Sequence, residues 1–144
     1  MDMQSAISNN EKYPNKPITT LVPFTVGSAS DILARMLEKS APQQLGQPLV
    51  VVNKPGGTGT IGWNELATAP PDGYTIGIIT GESLLNPLYG TTKYDYQTAL
   101  EPLAQITTIP QVMAIQAGQP WPDVEALIKY SQQHPEQLKF GHHG

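Results

Sequence analysis

The sequence predicts an α/β protein built on a parallel core sheet. Three observations carry that expectation. Short β-branched runs alternate with stretches of helical apolar spacing, in the order β-α-β-α-β over residues 16–103. The run Leu49-Val-Val-Val-Asn53 is apolar without alternation, as in a parallel strand covered on both faces. The segments after the three strands, 23–31, 53–62 and 80–83, are all rich in Gly, Ser and Thr. In open parallel sheets ligands sit beyond the C-terminal strand ends, where these segments fall.

Residues 1–15 read as a flexible lead-in, kept extended by Tyr13-Pro14 and Lys16-Pro17 because a proline pushes its predecessor away from helix. A first strand follows at 18–22. It runs into Pro23-Phe-Thr-Val-Gly-Ser-Ala-Ser-Asp31, where Ser28 and Asp31 stand three apart ahead of a helical pattern, as in a capping box. Such a helix start leaves backbone N–H groups free and carries the positive end of the helix dipole, so it attracts anions. The helix is expected over 30–45. Ile32, Leu33, Met36, Leu37 and Leu45 form its buried stripe, and Arg35, Glu38 and Lys39 lie opposite. Pro42 is expected to kink or shorten it, and Gly46 to stop it.

The second strand is 49–53. A glycine-rich loop, a short helix over 63–69, the stop Pro70-Pro71 and the turn Pro71-Asp72-Gly73 lead to a third strand at 74–80. Beyond Ser83 the pattern loosens. Residues 84–89 read as a short helix or turn and Tyr94-Asp-Tyr96 as an exposed loop. Strands are expected at 103–106, 111–116 and 138–140. Trp121-Pro122-Asp123 opens a further helix with Val124, Leu127 and Ile128 as its buried stripe, ended by Pro135. The sequence stops on Gly141-His-His-Gly144, a loop that should open a helix, and so is expected to be the N-terminal portion of a longer protein.

Composition narrows the function. Of 144 residues 39% are hydrophobic and 14% charged, which is globular with a weakly charged surface. A net charge of -4 and the lack of any Lys/Arg cluster argue against nucleic acid as a partner. Cysteine is absent, so disulfides, thiolate catalysis and Cys-ligated zinc are excluded. No apolar run reaches membrane-spanning length, and the N-terminus lacks the layout of a signal peptide.

Several motifs invite chemistry. Gly57-Thr-Gly-Thr-Ile-Gly62 fits the glycine pattern of a dinucleotide loop, with Glu82 placed as a ribose-binding acid. Asn53 to Gly56 intervene between the apolar run and those glycines and the helix after them is short, so a loop needing positive φ angles is preferred. A Rossmann-like nucleotide-binding enzyme fragment is the alternative. His142 and His143 are adjacent and point apart, with no third ligand nearby, so no metal is expected. Ser83, His142 and Asp31 could be assembled into a triad on paper. No Gly-x-Ser-x-Gly elbow exists and no catalysis is expected.

A wider pattern runs through the chain. Tyr13-Pro14-x-Lys16-Pro17-Ile18 leads into Val22-Pro23-Phe24-x-x-Gly27-x-x-x-Asp31-Ile-Leu-Ala-Arg35 and Leu45-Gly46-Gln47-Pro48. Val51-x-Asn53-x-Pro55-Gly56-x-x-Gly59-x-Ile61-Gly62, Pro71-Asp72-Gly73-Tyr74-Thr75, Asn86-Pro87-Leu88-Tyr89 and Phe140-Gly141 follow. The ensemble resembles the Bug (TctC-type) extracytoplasmic solute receptors of tripartite tricarboxylate transporters. The resemblance implies a type II periplasmic-binding-protein architecture of two lobes with parallel-core sheets, here truncated. Lobe one would cover 16–103, incompletely, and 104–144 would begin lobe two. It implies a periplasmic receptor that is not an enzyme, uses no cofactor and closes over a small carboxylate: a di- or tricarboxylate, an acidic amino acid or an aromatic acid. The ligand would pass to membrane permease subunits. A non-binding remnant is the third reading, and dimerisation or domain swapping of the truncated chain is expected.

The resemblance also implies the contact residues. Phe24, Val26, Gly27, Ser28, Ala29 and Asp31 fall on one ligand loop, Gly81 and Ser83 on the loop after the third strand, and Gly141, His142 and His143 on a second ligand loop. Val26-Gly27-Ser28 stands where the family has Pro-Gly-Gly, and Gly-His-His-Gly where it has hydroxyls. An aspartate beside a bound carboxylate is electrostatically unfavourable. Asp31 is therefore expected to fix the loop, or to accept from a bridging water or a ligand ammonium. Phe24 is expected to wall the cleft.

Overall fold

The computed structural model describes residues 13–90, 92–110, 112–139 and 141. Residues 1–12 of the expected lead-in, Phe140 of the last expected strand, and His142, His143 and Gly144 lie outside the described residues. The chain divides into two compact units, Met1–Pro102 and Leu103–Gly144.

In the first unit β1 (Ile18–Val22) is the middle of a three-stranded parallel sheet, flanked by β2 (Leu49–Asn53) and β3 (Thr75–Gly77) in the order β2-β1-β3. Ile18 pairs with Leu49 and Val22 with Asn53. On the other side Thr19 pairs with Thr75 and Leu21 with Gly77. The continuous apolar run of β2 predicted a strand covered on both faces. β2 is instead an edge strand, with Val50 exposed and Val51 to Asn53 half-buried. The fully enclosed strand is β1, which has a partner on each side and keeps Ile18, Thr20, Leu21 and Val22 buried.

Helix α1 (Ala29–Leu45) packs on β2 and β1, and α2 (Thr60–Thr68) on β1 and β3. The crossover from β1 to β2 and that from β2 to β3 run in opposite directions. With one handedness for both, the helices take opposite faces of the sheet. Val22, Ala34 and Ile78 form the core, with Val51 against them. α1 runs through Pro42 to Leu45 and ends where Gly46, in the left-handed region, donates its N–H to the Pro42 carbonyl. Its buried positions are Ser30, Asp31 and Ala34, with Leu33 and Leu37 half-buried. The expected stripe is thus corrected: Ile32, Met36 and Leu45 are exposed, because the inward face is centred on the small Ala34 that lets the helix approach the sheet.

Beyond β3 a short helix α3 (Glu82–Leu85) runs into a 3₁₀ turn (Asn86–Tyr89). Tyr94 to Tyr96 is not an exposed loop. Asp95 caps a helical turn α4 (Tyr96–Ala99), and Tyr96 is buried, donating its hydroxyl to Asn64 Oδ1 at 2.8 Å. Burial raises its pKa above the usual phenol value.

The second unit contains α5 (Val124–Gln133), capped by Asp123, which accepts from the Ala126 N–H at 2.8 Å. Tyr130 stacks on His134 at the C-terminal end. Of the expected buried stripe, Val124 and Ile128 are exposed and Leu127 is half-buried. Residues 103–106, 112–116 and 138–139 do not form strands. Their composition suits a strand, but a strand exists only when a second backbone completes its ladder.

Candidate functional site

The sheet order places a site before any side chain is considered. Strand order switches sides at β1, with β2 on one flank and β3 on the other, so the C-terminal ends of β1 and β3 flank a switch point of the kind where open parallel sheets bind ligands. The loop after β1 occupies 23–28, and the backbone after β3 passes through 78–81 to α3. Ile78 keeps the two in step by donating its N–H to the Leu21 carbonyl at 2.9 Å.

The first loop is clasped at its helical end. Ser28 is the N-cap of α1, and its Oγ accepts the Asp31 N–H at 3.2 Å. The Asp31 side chain reaches one residue further back than in a capping box and accepts the Gly27 N–H at 2.8 Å. Its carboxylate also accepts from Arg35 Nε at 3.0 Å and from Asn53 Nδ2 at 2.9 Å. Asp31 is only 2% exposed. The Gly27 amide, then the Arg35 guanidinium and the Asn53 carboxamide, hold its carboxyl at about 2, below the usual 3.8. The carboxylate in turn raises the pKa of Arg35.

These bonds decide which loop amides are free. Gly27 N–H goes to Asp31, Ser28 N–H to the Thr25 carbonyl, Asp31 N–H to Ser28 Oγ and Ile32 N–H to the Ser28 carbonyl. Among the described residues the N–H groups of Thr25 and Val26 in the loop have no acceptor, and neither have those of Ala29 and Ser30. The latter two are orphan donors of the first turn, at the positive end of a 17-residue helix. The adjacent cations are already matched, Arg35 with Asp31 and Glu38, and Lys54 with Glu65 at 3.1 Å. An anion arriving here meets backbone dipoles rather than an unpaired side-chain charge.

The candidate residues are disposed as follows. Val26 projects at the loop tip, 71% exposed, with Gly27 and Ala29 also exposed and Ser28 half-buried. Phe24 is half-buried, edge-on to Trp63 at 6.1 Å between ring centres. Gly81 is exposed at the start of α3, and Ser83 is buried with its hydroxyl donated to the Thr80 carbonyl at 2.8 Å. Gly141 belongs to the other unit and is exposed. Among the described residues no group of His, Asp or Glu is arranged to hold a metal.

Sequence reasoning missed Asn53 and Arg35 as parts of this loop. Arg35 was expected on the face opposite the buried one, yet its spacing of four from Asp31 is that of a helical ion pair. It also missed the support beneath. Trp63 is 1% exposed, donates Nε1–H to the Ile78 carbonyl at 3.0 Å and lies between Phe24 and Tyr96.

The glycine-rich segment has a structural account of its own. A 3₁₀ turn (Gly57–Gly59) precedes α2, and a Cβ at Gly59 would lie 2.6 Å from the Trp63 ring. A Cβ at Gly62 would lie 2.9 Å from Pro23 Cα, so that glycine lets α2 close onto the start of the loop after β1. Packing therefore claims two of the glycines that a dinucleotide loop would need.

Residues 33–144 match the family described as tripartite tricarboxylate transporter family receptor. A UPF0065 protein of Bordetella pertussis is 32% identical over 144 residues, covering 99% of this chain and 44% of its own length. The crystal structure of a TctC solute binding protein from Polaromonas superposes with a TM-score of 0.69 at 32% identity, over 84% of this chain and 42% of that one. An R. palustris protein solved with adipate gives 0.67 at 33% identity, over 88% of this chain and 43% of that one. The chain thus spans less than half the length of these relatives.

Proposed function

The chain belongs to the tripartite tricarboxylate transporter receptor family, and on that premise we propose that it supplies one wall of a cleft that captures a small carboxylate. The family is one of solute-binding receptors, and the fold is the α/β type II periplasmic-binding fold of its solved relatives, of which this chain carries about 40%. In this reading residues 16–103 are lobe one and 104–144 begin lobe two. The receptor works in the periplasm and hands its ligand to membrane permease subunits of a tripartite tricarboxylate transporter.

The observation that supports the reading is the pair of unconsumed N–H groups at Ala29 and Ser30, which open α1 directly after the loop that follows β1. Two adjacent amides suit the two oxygens of one carboxylate, and the dipole of α1 favours the negative charge. Val26 and Phe24 offer apolar surface to the ligand's carbon chain. The relative solved with adipate, a dicarboxylate, is consistent with that division of labour. By the family resemblance, Gly141, His142 and His143 belong to the second ligand loop in this reading.

A thermal-shift screen of the 144-residue chain against adipate, succinate, citrate, glutamate, benzoate and NAD tests this reading. One carboxylate is expected to stabilise the fold by about 2.7 kcal/mol at a hundredfold excess over its Kd. Stabilisation by NAD alone, or by none of the set in a chain that melts cooperatively, contradicts it.

A further inference from the structure

Asn53 is the last residue of β2, and its side chain belongs to its neighbour's loop. Nδ2 donates both to the Phe24 carbonyl at 3.0 Å and to Asp31 Oδ1 at 2.9 Å, while Oδ1 accepts from Arg35 Nη2 at 3.4 Å. The other Asp31 oxygen takes the Gly27 N–H and Arg35 Nε. A carboxamide offers two donors and an acceptor on one rigid plane, and these contacts call on both capacities. Asn53 thereby ties the beginning of the loop, Phe24, to its helical end, Asp31.

We propose that Asn53 is a positioning residue for the ligand loop: by holding the Phe24 carbonyl and the Asp31 carboxylate on one amide group, it sets which loop N–H groups are spent internally and which are left for the ligand. Asn53 touches no ligand in this account and acts through Asp31. The inference rests on the reading of 23–31 as a carboxylate-binding loop, and its test separates the two.

The informative variant is Asn53→Asp. When ionised, the new carboxylate cannot donate and stands against Asp31. When the pair shares a proton, an O–H replaces the lost N–H, as in paired aspartates whose dianion takes up its first, shared proton at about pH 5. The other charged groups around the pair are Arg35 and Glu38 of α1 and Lys54 with its partner Glu65. Adipate affinity is measured by calorimetry from pH 7.5 to 5 for the native chain, Asn53→Asp and Asn53→Ala. Ratios to the native chain remove adipate's own titration. The expected result is a loss of tenfold or more for Asn53→Asp at pH 7.5, recovering towards native as pH falls, and a constant loss for Asn53→Ala.

In parallel the Gly27 amide is followed by NMR in the ligand-free proteins. It is expected to lose its hydrogen-bonded shift in Asn53→Asp at pH 7.5 and regain it at pH 5, and to lose it at every pH in Asn53→Ala. A flat ratio for folded Asn53→Asp, native affinity in either variant, or an unmoved Gly27 amide overturns the proposal. If Asn53→Asp does not fold, the Gly27 amide of Asn53→Ala decides. If the native chain takes no carboxylate, the functional reading fails while the Gly27 amide still decides the role of Asn53.

Discussion

Apolar runs in the two units of this chain have different fates. Leu49-Val-Val-Val-Asn53 pairs with β1 along its whole length. Leu103-Ala-Gln-Ile106 and the residues after Gln111, just as strand-like in composition, form no ladder, and Val112 is 86% exposed. The helices repeat the contrast. α1 buries Ser30, Asp31 and Ala34 against a sheet, whereas α5 has a sound N-cap and apolar spacing yet buries nothing. Side-chain pattern states what an element could do, and only a partner backbone or an opposing apolar face makes it do so. In the first unit those partners lie within about 60 residues of sequence; in the second they are missing among the described residues.

Substitutions should separate the two units sharply. Trp63→Ala removes the ring between Phe24 and Tyr96 and the Nε1–H bond to Ile78, and is expected to cost about 3–5 kcal/mol in urea titrations. The same kind of truncation in the second unit, Val112→Ala or Ile128→Ala, should change stability by less than about 0.5 kcal/mol. A large loss there would mean that these residues are covered in solution. Next in size is Gly62→Ala, whose added methyl meets the Pro23 backbone and should cost about 1–3 kcal/mol. Ser28→Ala removes the α1 cap and should cost about 1 kcal/mol. Asp123→Ala should only fray α5, seen as a small fall in helical circular dichroism.

Acid offers a finer discrimination. Asp31 has a lowered pKa in the folded chain, so its contribution to stability is fully present above the unfolded value of 3.8. It declines as pH falls from there and is lost on passing about 2. The first unit should therefore lose stability between about pH 4 and 2, followed by Trp63 fluorescence. Asp31→Asn should remove that part of the slope. An unchanged slope in Asp31→Asn would show that the clasp around Gly27, Arg35 and Asn53 does not hold in solution.

What could be read from the sequence follows the same division. The first two strands, the Ser28 cap and the Gly46 stop rest on local chemistry and stand where that chemistry put them, whereas the third strand, expected over 74–80, pairs only over Thr75–Gly77. The burial of α1 was misjudged because apolar count favours Ile32 and Met36. The sheet instead admits the helix along the small residue Ala34, and that depends on how closely two elements approach. Asn53 read as the end of a strand because nothing local says that its amide will meet a loop 29 positions earlier in the chain. Tyr96 read as exposed for the same reason: its hydroxyl partner, Asn64, is 32 residues away. In the second unit propensity was legible and structure was not, since strand formation is a property of pairs.

A carboxylate should be received on the unspent N–H groups that open α1, directly after the loop that follows β1. An adipate titration of the ¹⁵N-labelled chain tests it most directly. The account predicts saturable downfield shifts at the Ala29 and Ser30 N–H groups, with Gly27, already bonded to Asp31, moving little. A folded spectrum in which Ala29 and Ser30 stay fixed while another region shifts, or in which nothing shifts, would contradict it.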